Sequence, residues 1–502
     1  MEGATGALER SASPALRSGT GPYRHPGLVI GLVGLGSSIV LGVAASFGPL
    51  LGVLVLAGVP LLLLVLARPA AGALVMVALV PITSGIQRGL PIPGLRVSEI
   101  LIGGLASIIL IRAAEDEARP WKAVDWLFLA YGAVNFGLGL TQLFGRGEPL
   151  TGDTLGTLVG PFQYLLLYRA IIVALPEADQ QRRALRYLLI ASVPVSLSAI
   201  LQNYHLLGVR EFIPNITGVD VGRDYDDAYG VNAQGSGDRA TGTFPHWQVL
   251  GAYEFWILLM GSATILSKRP VMSRGVLIVV LALAAAAAFA TVTLTIIMTA
   301  AVGVALLAVW YGRIAWVVPT AVILGALALA AFGPSLERRI NEQFEPAVNR
   351  PAWVPETMDY RYRLWRDQYL PILRDGRWVT GYGPDSPPNL SFAFTESLYI
   401  TLLMRGGIPL LLLYLGLTVA LLAAALRARG DPDPARQAAA RVMVVGSLLL
   451  VPMHLVEPYF VMTGMAPLFW ITAAMYMGRP VPETAPAREA QPAPRAALAS
   501  GV

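Results

Sequence analysis

The chain has 502 residues, 55% of them hydrophobic and only 14% charged, with a mean hydropathy of +0.60. Soluble domains carry roughly 25% charged residues, so a water-soluble globular protein is excluded. The net charge of +5 is borne almost wholly by arginine, Lys122 and Lys268 being the only lysines, and it fits basic cytoplasmic loops rather than nucleic acid binding. With no cysteine there are no disulfides, thiolate metal sites or cysteine nucleophiles, and the scattered His25, His205, His246 and His454 suggest no metal centre.

Residues 1–27 lack hydrophobic periodicity and read as a disordered cytoplasmic N-terminus. Crossing a hydrocarbon core takes roughly 20 apolar residues in a helix. Such stretches fall at about 28–46, 49–67, 70–86, 98–112, 125–142, 154–174 and 186–204, which make an N-terminal transmembrane bundle over 28–204. No convincing cleavage site follows the first stretch, so it reads as a retained helix. A first long hydrophilic loop spans 205–245. Central helices follow at about 246–266, 275–291, 293–311 and 314–333, together covering 246–333. A second long loop with a re-entrant segment occupies 334–407, and C-terminal spans at about 408–427, 441–457 and 460–478 fill 408–479. A Pro/Ala-rich tail, 480–502, reads as disordered and cytoplasmic.

The expected fold is therefore all-α, a polytopic transmembrane helix bundle of about 12–14 spans, with two long extracytoplasmic loops, the second partly helical. Strict alternation from a cytoplasmic N-terminus puts the short basic connections around Arg68, Arg119, Arg183, Arg269, Arg313, Arg436 and Arg479 on one side. By the positive-inside rule that side is the cytoplasm, which then holds both termini.

Chemistry-bearing residues gather where the long loops meet the membrane. The first loop ends in Arg239-Ala240-Thr241-Gly242-Thr243-Phe244-Pro245-His246 and runs into a helix carrying Tyr253 and Glu254. A guanidinium held there could grip a diphosphate bidentately, or Arg239 could be an ordinary solvated arginine. The second loop contains Asp359-Tyr360-Arg361-Tyr362-Arg363-Leu364-Trp365, which suits a helix lying on the membrane surface. Arg361 or Arg363 could face the same cavity as Arg239, with Tyr360, Tyr362 and Trp365 left to stack on sugars. A Gly381-Tyr382-Gly383 turn precedes Glu396-Ser397-Leu398-Tyr399-Ile400 and a helical run broken at Gly406-Gly407. Glu396 suits a general base for a sugar hydroxyl, and equally an acidic first-turn residue favouring a helix dipole. His454 and Glu457, three apart near the outer end of a span, could share one helix face.

In their order and loop placement these segments, from about Gly237 to Gly416, resemble the O-antigen ligase and O-antigen polymerase superfamily of bacterial cell-envelope glycan assembly. The resemblance rests on the Arg239-to-Phe244 turn, on Arg361 four residues before Trp365 and followed by Gly381-x-Gly383, and on Glu396-to-Ile400 followed by Gly407-Ile408. Where ligases carry a His-Asn pair this sequence has Glu396-Ser397, and His246 and Gln248 stand near positions where the family often shows Asn.

The resemblance implies an inverting, metal-independent glycosyltransferase without cofactor in the bacterial inner (cytoplasmic) membrane. It would move glycan from a polyprenyl-diphosphate-linked donor to a hydroxyl of a glycan or glycolipid acceptor, among membrane lipid and envelope assembly partners. Arg239, Arg361 and Arg363 would neutralise the diphosphate and Glu396 would deprotonate the acceptor. Tyr360, Tyr362, Trp365, Tyr399, His246, Glu254, His454 and Glu457 would contact the acceptor or sugars. Polymerase is preferred to ligase because of Glu396. The rival classes are a transporter or flippase for a lipid-linked or small polar substrate, and a non-catalytic envelope scaffold.

Overall fold

The computed structural model describes residues 63–88, 95–115, 120–218, 239–345, 350–351, 353–374, 376–387, 390, 395–460 and 464–478. The expected span at 28–46, most of that at 49–67, both terminal segments and residues 219–238 of the first loop lie outside them.

Among the described residues the chain is helical and has no strand. The helices are α1 Pro69–Thr83; α2, which runs Val97–Leu101, a π-turn Ile102–Ala106 and Ser107–Glu115; α3 Ala123–Gly145; α4 Gly152–Ala174; and α5 Ala178–Asn203. Then come α6 Val209–Thr217, α7 Trp247–Leu266, α8 Arg274–Ala290, α9 Leu294–Trp310, α10 Ile314–Phe344, α11 Glu356–Leu364, α12 Leu398–Ala428, α13 Pro434–Val456 and α14 Met465–Met477. Six of these, α3, α4, α5, α7, α12 and α13, are long and apolar enough to cross a membrane, and α1, α8, α9 and α14 are shorter apolar helices. The protein is thus a multi-pass helical membrane bundle. Each apolar stretch from residue 70 onward corresponds to a helix, and the paired runs near 292 are two helices separated at Thr291–Thr293, with Val292 at φ +49°.

Helix α7 is the hub. It is apolar around its whole circumference, as a helix surrounded by others must be, and nearly every residue from Trp247 to Leu266 is buried. Gly446 in α13 leaves room for the Trp256 ring, since a Cβ there would sit 2.5 Å from its Cζ3, and Trp256 Nε1 donates to Thr472 Oγ1 of α14 at 2.9 Å.

Polar contacts show which helix ends lie together. At one end Arg169 of α4 pairs with Asp125 of α3 at 3.1 Å, Lys122 donates to the Met477 carbonyl, and Arg182 of α5 meets Asp433, the N-cap of α13, at 2.9 Å. At the other end Gln142 of α3 and Arg146, its C-cap, donate to the carbonyls of Thr380 and Tyr382, and Thr154 of α4 donates to Asp385 at 2.8 Å. Both long loops therefore emerge at this second end, one from the C-terminus of α5 and the other leading into the N-terminus of α12.

Helix α12 begins at Leu398, ten residues before the expected span, and is broken where expected: Gly407 has φ +65°. The Gly-Tyr-Gly turn fills the break. Tyr382 and Gly383 donate their N–H groups to Met404 O, and Ile408 N donates to Trp378 O at 2.8 Å. A Cβ on Gly407 would lie 2.3 Å from Val379 O, so only glycine admits the turn.

Candidate functional site

The Arg239 turn is held from beneath by one side chain. Gln202 Oε1, at the end of α5, accepts from the N–H groups of Thr241 at 2.8 Å and Gly242 at 2.9 Å, and its amide donates to Thr241 Oγ1 at 3.1 Å. Ala240 N donates to Ala290 O at 2.9 Å, which ties the turn to the end of α8. Phe244 is fully buried against Tyr253, their ring centroids 5.1 Å apart. The Arg239 guanidinium lies 4.7 Å over the Trp247 ring. His246 caps α7, its Nδ1 accepting from Gln248 N at 3.2 Å. Burial, and after it the Arg239 charge, push the His246 pKa down to about 3, so the ring is neutral at any physiological pH.

The second loop delivers a tighter constellation. Arg361 of α11 places Nη2 2.5 Å from Glu396 Oε2 and 4.0 Å from Glu457 Oε2. The three side chains are 11%, 12% and 2% exposed, so this is a nearly dry cluster of two carboxyl groups around one guanidinium. Burial first, and then the Glu396 charge, raise the Glu457 pKa well above the ordinary carboxylate range, against the opposing pull of Arg361 and of the Gln248 amide beside it. Gln248 belongs to the first turn of α7, so the two loops converge on one group of residues.

Local structure fixes each member. Glu396 has φ +54°, a left-handed backbone that a residue with a Cβ adopts at a cost of about 1–2 kcal/mol. Its neighbours hold it there. Trp365 Nε1 donates to Thr395 O at 2.7 Å, Thr395 and Thr401 share a hydroxyl contact of 2.5 Å, and Ser397 Oγ donates to His454 O at 3.3 Å. A strained backbone persisting at a buried carboxylate is the pattern found at reactive centres. Glu457 follows the last residue of α13, so its side chain leaves the helix end toward the loops.

His454 is one turn back, on the membrane side of this cluster. Its Nδ1 meets Tyr414 OH at 2.8 Å, Phe460 packs 4.8 Å away, and Nε2 has no hydrogen-bond partner among the described residues. Tyr399 OH donates to Val451 O at 3.0 Å, and its ring stands 6.3 Å from His454.

The remaining expected residues stand outside the cluster. Arg363 and Tyr362 are 59% and 58% exposed, and Arg363 pairs with Asp359 on its own helix at 3.0 Å. Tyr360 is half-buried beside the cluster, its phenol pKa raised by burial and then by the Glu396 charge. Glu254 is fully buried in α7, where Ser196 Oγ donates to it at 2.8 Å. Sequence reasoning missed the convergence of Glu457 with Arg361 and the parts played by Gln202 and Gln248. A polar residue at the end of an apolar helix facing a loop was the available signal for both glutamines.

An arginine flanked by two carboxyl groups, one favouring its protonated form, can exchange a proton with a hydroxyl and hold an anion nearby. The same parts can also serve as a structural clamp. No protein-family model matches the chain, and no curated protein matches it in sequence.

Proposed function

We propose that this protein is a membrane glycosyltransferase of the O-antigen ligase and polymerase type. It takes glycan from a polyprenyl-diphosphate donor to a glycan hydroxyl at the extracytoplasmic face of the bacterial inner membrane, with both termini in the cytoplasm. The observation that carries the reading is the Arg361–Glu396–Glu457 cluster, dry, backbone-strained at Glu396, and lying where two long loops meet. Glu396 accepts the proton of the acceptor hydroxyl as its oxygen bonds to the anomeric carbon. On the opposite face the bond from that carbon to the phosphate oxygen breaks, and the diphosphate leaves with the electron pair, so the configuration inverts.

Arg361 and Arg239 supply fixed positive charge for the departing diphosphate, the role a metal ion plays elsewhere. Arg363, paired with Asp359 and largely in solvent, is given no part in this step. Glu457, favouring its protonated form, keeps the cluster close to neutral. A carboxylate at the position of the ligases' histidine favours polymerase over ligase.

The test is glycan chain length on gels from a deletion strain complemented with wild type, Glu396→Gln, Glu457→Gln, Arg361→Ala or Arg239→Ala at matched membrane levels. The reading expects long chains from wild type and short or unattached lipid-linked units from Glu396→Gln and Arg361→Ala. Long chains from every variant would leave the cluster as a structural clamp and favour transport, to which the wholly buried Glu254 within a span is the better guide.

A further inference from the structure

On the membrane side of the carboxyl cluster one residue is bonded to both halves of a broken helix. The Gly406-Gly407 break divides α12 into an outer half, 398–405, and an inner half, 408–428. Ser397, the N-cap of the outer half, donates through Oγ to the carbonyl of His454 at 3.3 Å. Tyr414, on the inner half, meets His454 Nδ1 through its hydroxyl at 2.8 Å. All three residues are buried. Glu396 directly precedes Ser397, and Glu457 lies three residues after His454. The two bonds therefore tie the chain segment carrying one carboxyl group to the helix end carrying the other.

Packing alone does not set this register. Tyr414 packs against Leu398, Leu402 and Leu410, but it also lines, with Phe460, Arg88, Arg96 and Arg405, a cavity of about 170 Å³, so the phenol has open space beside it. The Gly406-Gly407 joint interrupts the helix between the two halves, so helix stiffness does not carry the position of Tyr414 through to Ser397. The imidazole itself is not the choice that stability favours. Its Nε2 has no hydrogen-bond partner among the described residues, in surroundings of Phe460, Tyr459 and Tyr399 with ring centroids 4.8, 6.3 and 6.3 Å away. A buried polar atom left unpaired is costly, and phenylalanine at both 454 and 414 would fill this space without that cost.

We propose that His454 is a positioning residue: held through its carbonyl by Ser397 and through Nδ1 by Tyr414, it registers the end of α13 against both halves of α12 and so sets the approach of Glu457 to Glu396 and Arg361. This differs from the sugar contact expected from the sequence, because His454 is buried one turn behind the cluster. The groups that face Glu457 are Arg361 and Glu396 from the second loop, Gln248 from α7 and Tyr459 from the segment after α13. A slip of α13 against α12 changes the distance from Glu457 to the first two of these together. The effect on sugar transfer rests on the function proposed above, whereas the positioning of the cluster does not.

The experiment titrates the infrared band of protonated carboxyl groups in the full chain purified in detergent, with Glu457→Gln identifying the part of the band that belongs to Glu457. Tyr414→Phe removes one oxygen and keeps the ring, and it is expected to shift the Glu457 midpoint by about half a unit to one unit, a roughly three- to tenfold change in proton affinity. His454→Asn, whose amide reaches the position of Nδ1, should keep the wild-type midpoint. His454→Gln, whose amide reaches the position of Nε2 instead, should shift it as Tyr414→Phe does. Tyr476→Phe is the control, since it breaks another buried phenol bond to α12, that from Tyr476 OH to Leu421 O at 3.0 Å, and should lower the melting temperature while leaving the Glu457 midpoint in place. A midpoint unchanged in Tyr414→Phe, shifted equally by Tyr476→Phe, or shifted as far by His454→Asn as by His454→Gln would overturn the assignment. Should a His454 variant fail to fold, the comparison of Tyr414→Phe with Tyr476→Phe still decides. Glycan chain length from the same strains is a separate readout: long chains from Tyr414→Phe with a shifted midpoint would uphold the positioning and count against the cluster as the centre of sugar transfer.

Discussion

Replacing Arg361 with methionine tests whether the two carboxyl groups are held by one charge. At an effective dielectric of about 20, the Arg361–Glu396 charge pair at 2.5 Å is worth roughly 7 kcal/mol, and Glu457, favouring its protonated form 4.0 Å away, adds little to it. Desolvation offsets most of that, and removing one partner of a buried pair typically costs about 3–5 kcal/mol. Arg361→Met is therefore expected to lower stability by about 3–5 kcal/mol at about pH 8, because it leaves two carboxyl groups with almost no water. Glu396→Gln keeps a hydrogen-bonding partner for Arg361 and should cost only about 1–2 kcal/mol. The double variant should cost less than the sum of the two by about 2 kcal/mol.

The pH dependence has a definite sign. The Glu457 pKa is already raised in the folded state, and losing Arg361, which lowers it, raises it further. A carboxyl group with a raised folded pKa adds stability below its unfolded value, here 4.5, and that stability is lost as pH rises through the folded value. The Arg361→Met penalty should thus shrink on going from about pH 8 to about pH 5. Unfolding in detergent, followed by circular dichroism for the four proteins of the cycle, reads both quantities. Additivity within about 0.5 kcal/mol, or a penalty independent of pH, would refute the shared-charge cluster.

Glu396→Gly relieves about 1–2 kcal/mol of left-handed strain but leaves the buried Arg361 without its carboxylate at a typical cost of about 3–5 kcal/mol, so a net loss of roughly 1–4 kcal/mol is expected, and on the proposed reading glycan elongation on the gel assay is lost; a net gain in melting temperature would show that the strain outweighs the ion pair. His246→Asn keeps an N-cap acceptor and should melt close to wild type at neutral pH, whereas His246→Ala should cost about 1 kcal/mol. The folded His246 pKa is depressed from 6.5 to about 3, so it gives stability above 6.5 that is lost on acidification toward 3, and His246→Asn should flatten the melting profile over that window. Gln202→Leu removes the acceptor of two buried N–H groups and should cost about 2–4 kcal/mol, with proteolysis appearing first in the 239–246 turn. Gly407→Ala sets a Cβ against Val379 O at φ +65° and should destabilise by at least about 1–3 kcal/mol, read as a lower melting temperature.

Legibility in the sequence follows the range of the forces involved. Apolar stretches such as Leu294–Trp310 are read one residue at a time against a solvent of fixed thickness, so their helices were evident, and so was the break at Gly406-Gly407. Arg361 and Glu396 were both candidates, but nothing local brings Glu457 to them across 61 residues of chain. That meeting depends on α12 and α13 packing and on where α13 ends. Arg361 and Arg363 look alike in sequence. They differ because α11 turns only one of them inward, and the 59% exposure of Arg363 removes it from the cluster. The cavity lined by Arg88, Arg96 and Arg405 was the least legible part, since Arg405 lies more than 300 residues from the other two and each alone reads as a loop or interfacial arginine.

The charge count at the Arg361 cluster constrains any chemistry performed there. One guanidinium compensates one carboxylate, so two ionised carboxyl groups would leave a net negative charge in a nearly dry site, the state that burial penalises most. The cluster therefore favours holding a proton, and burial favours the less exposed Glu457 as its carrier. Glu396, in contact with Arg361 and on the strained residue nearer the loops, is on the proposed reading the group that receives the acceptor's proton. On the proposed reading, once Glu396 takes a proton from an acceptor both carboxyl groups are neutral and Arg361 is uncompensated as the diphosphate leaves. On that reading the proton transfer releases the positive charge that the leaving group needs, and Glu457→Gln, which mimics the resting proton, should slow transfer far less than Glu396→Gln.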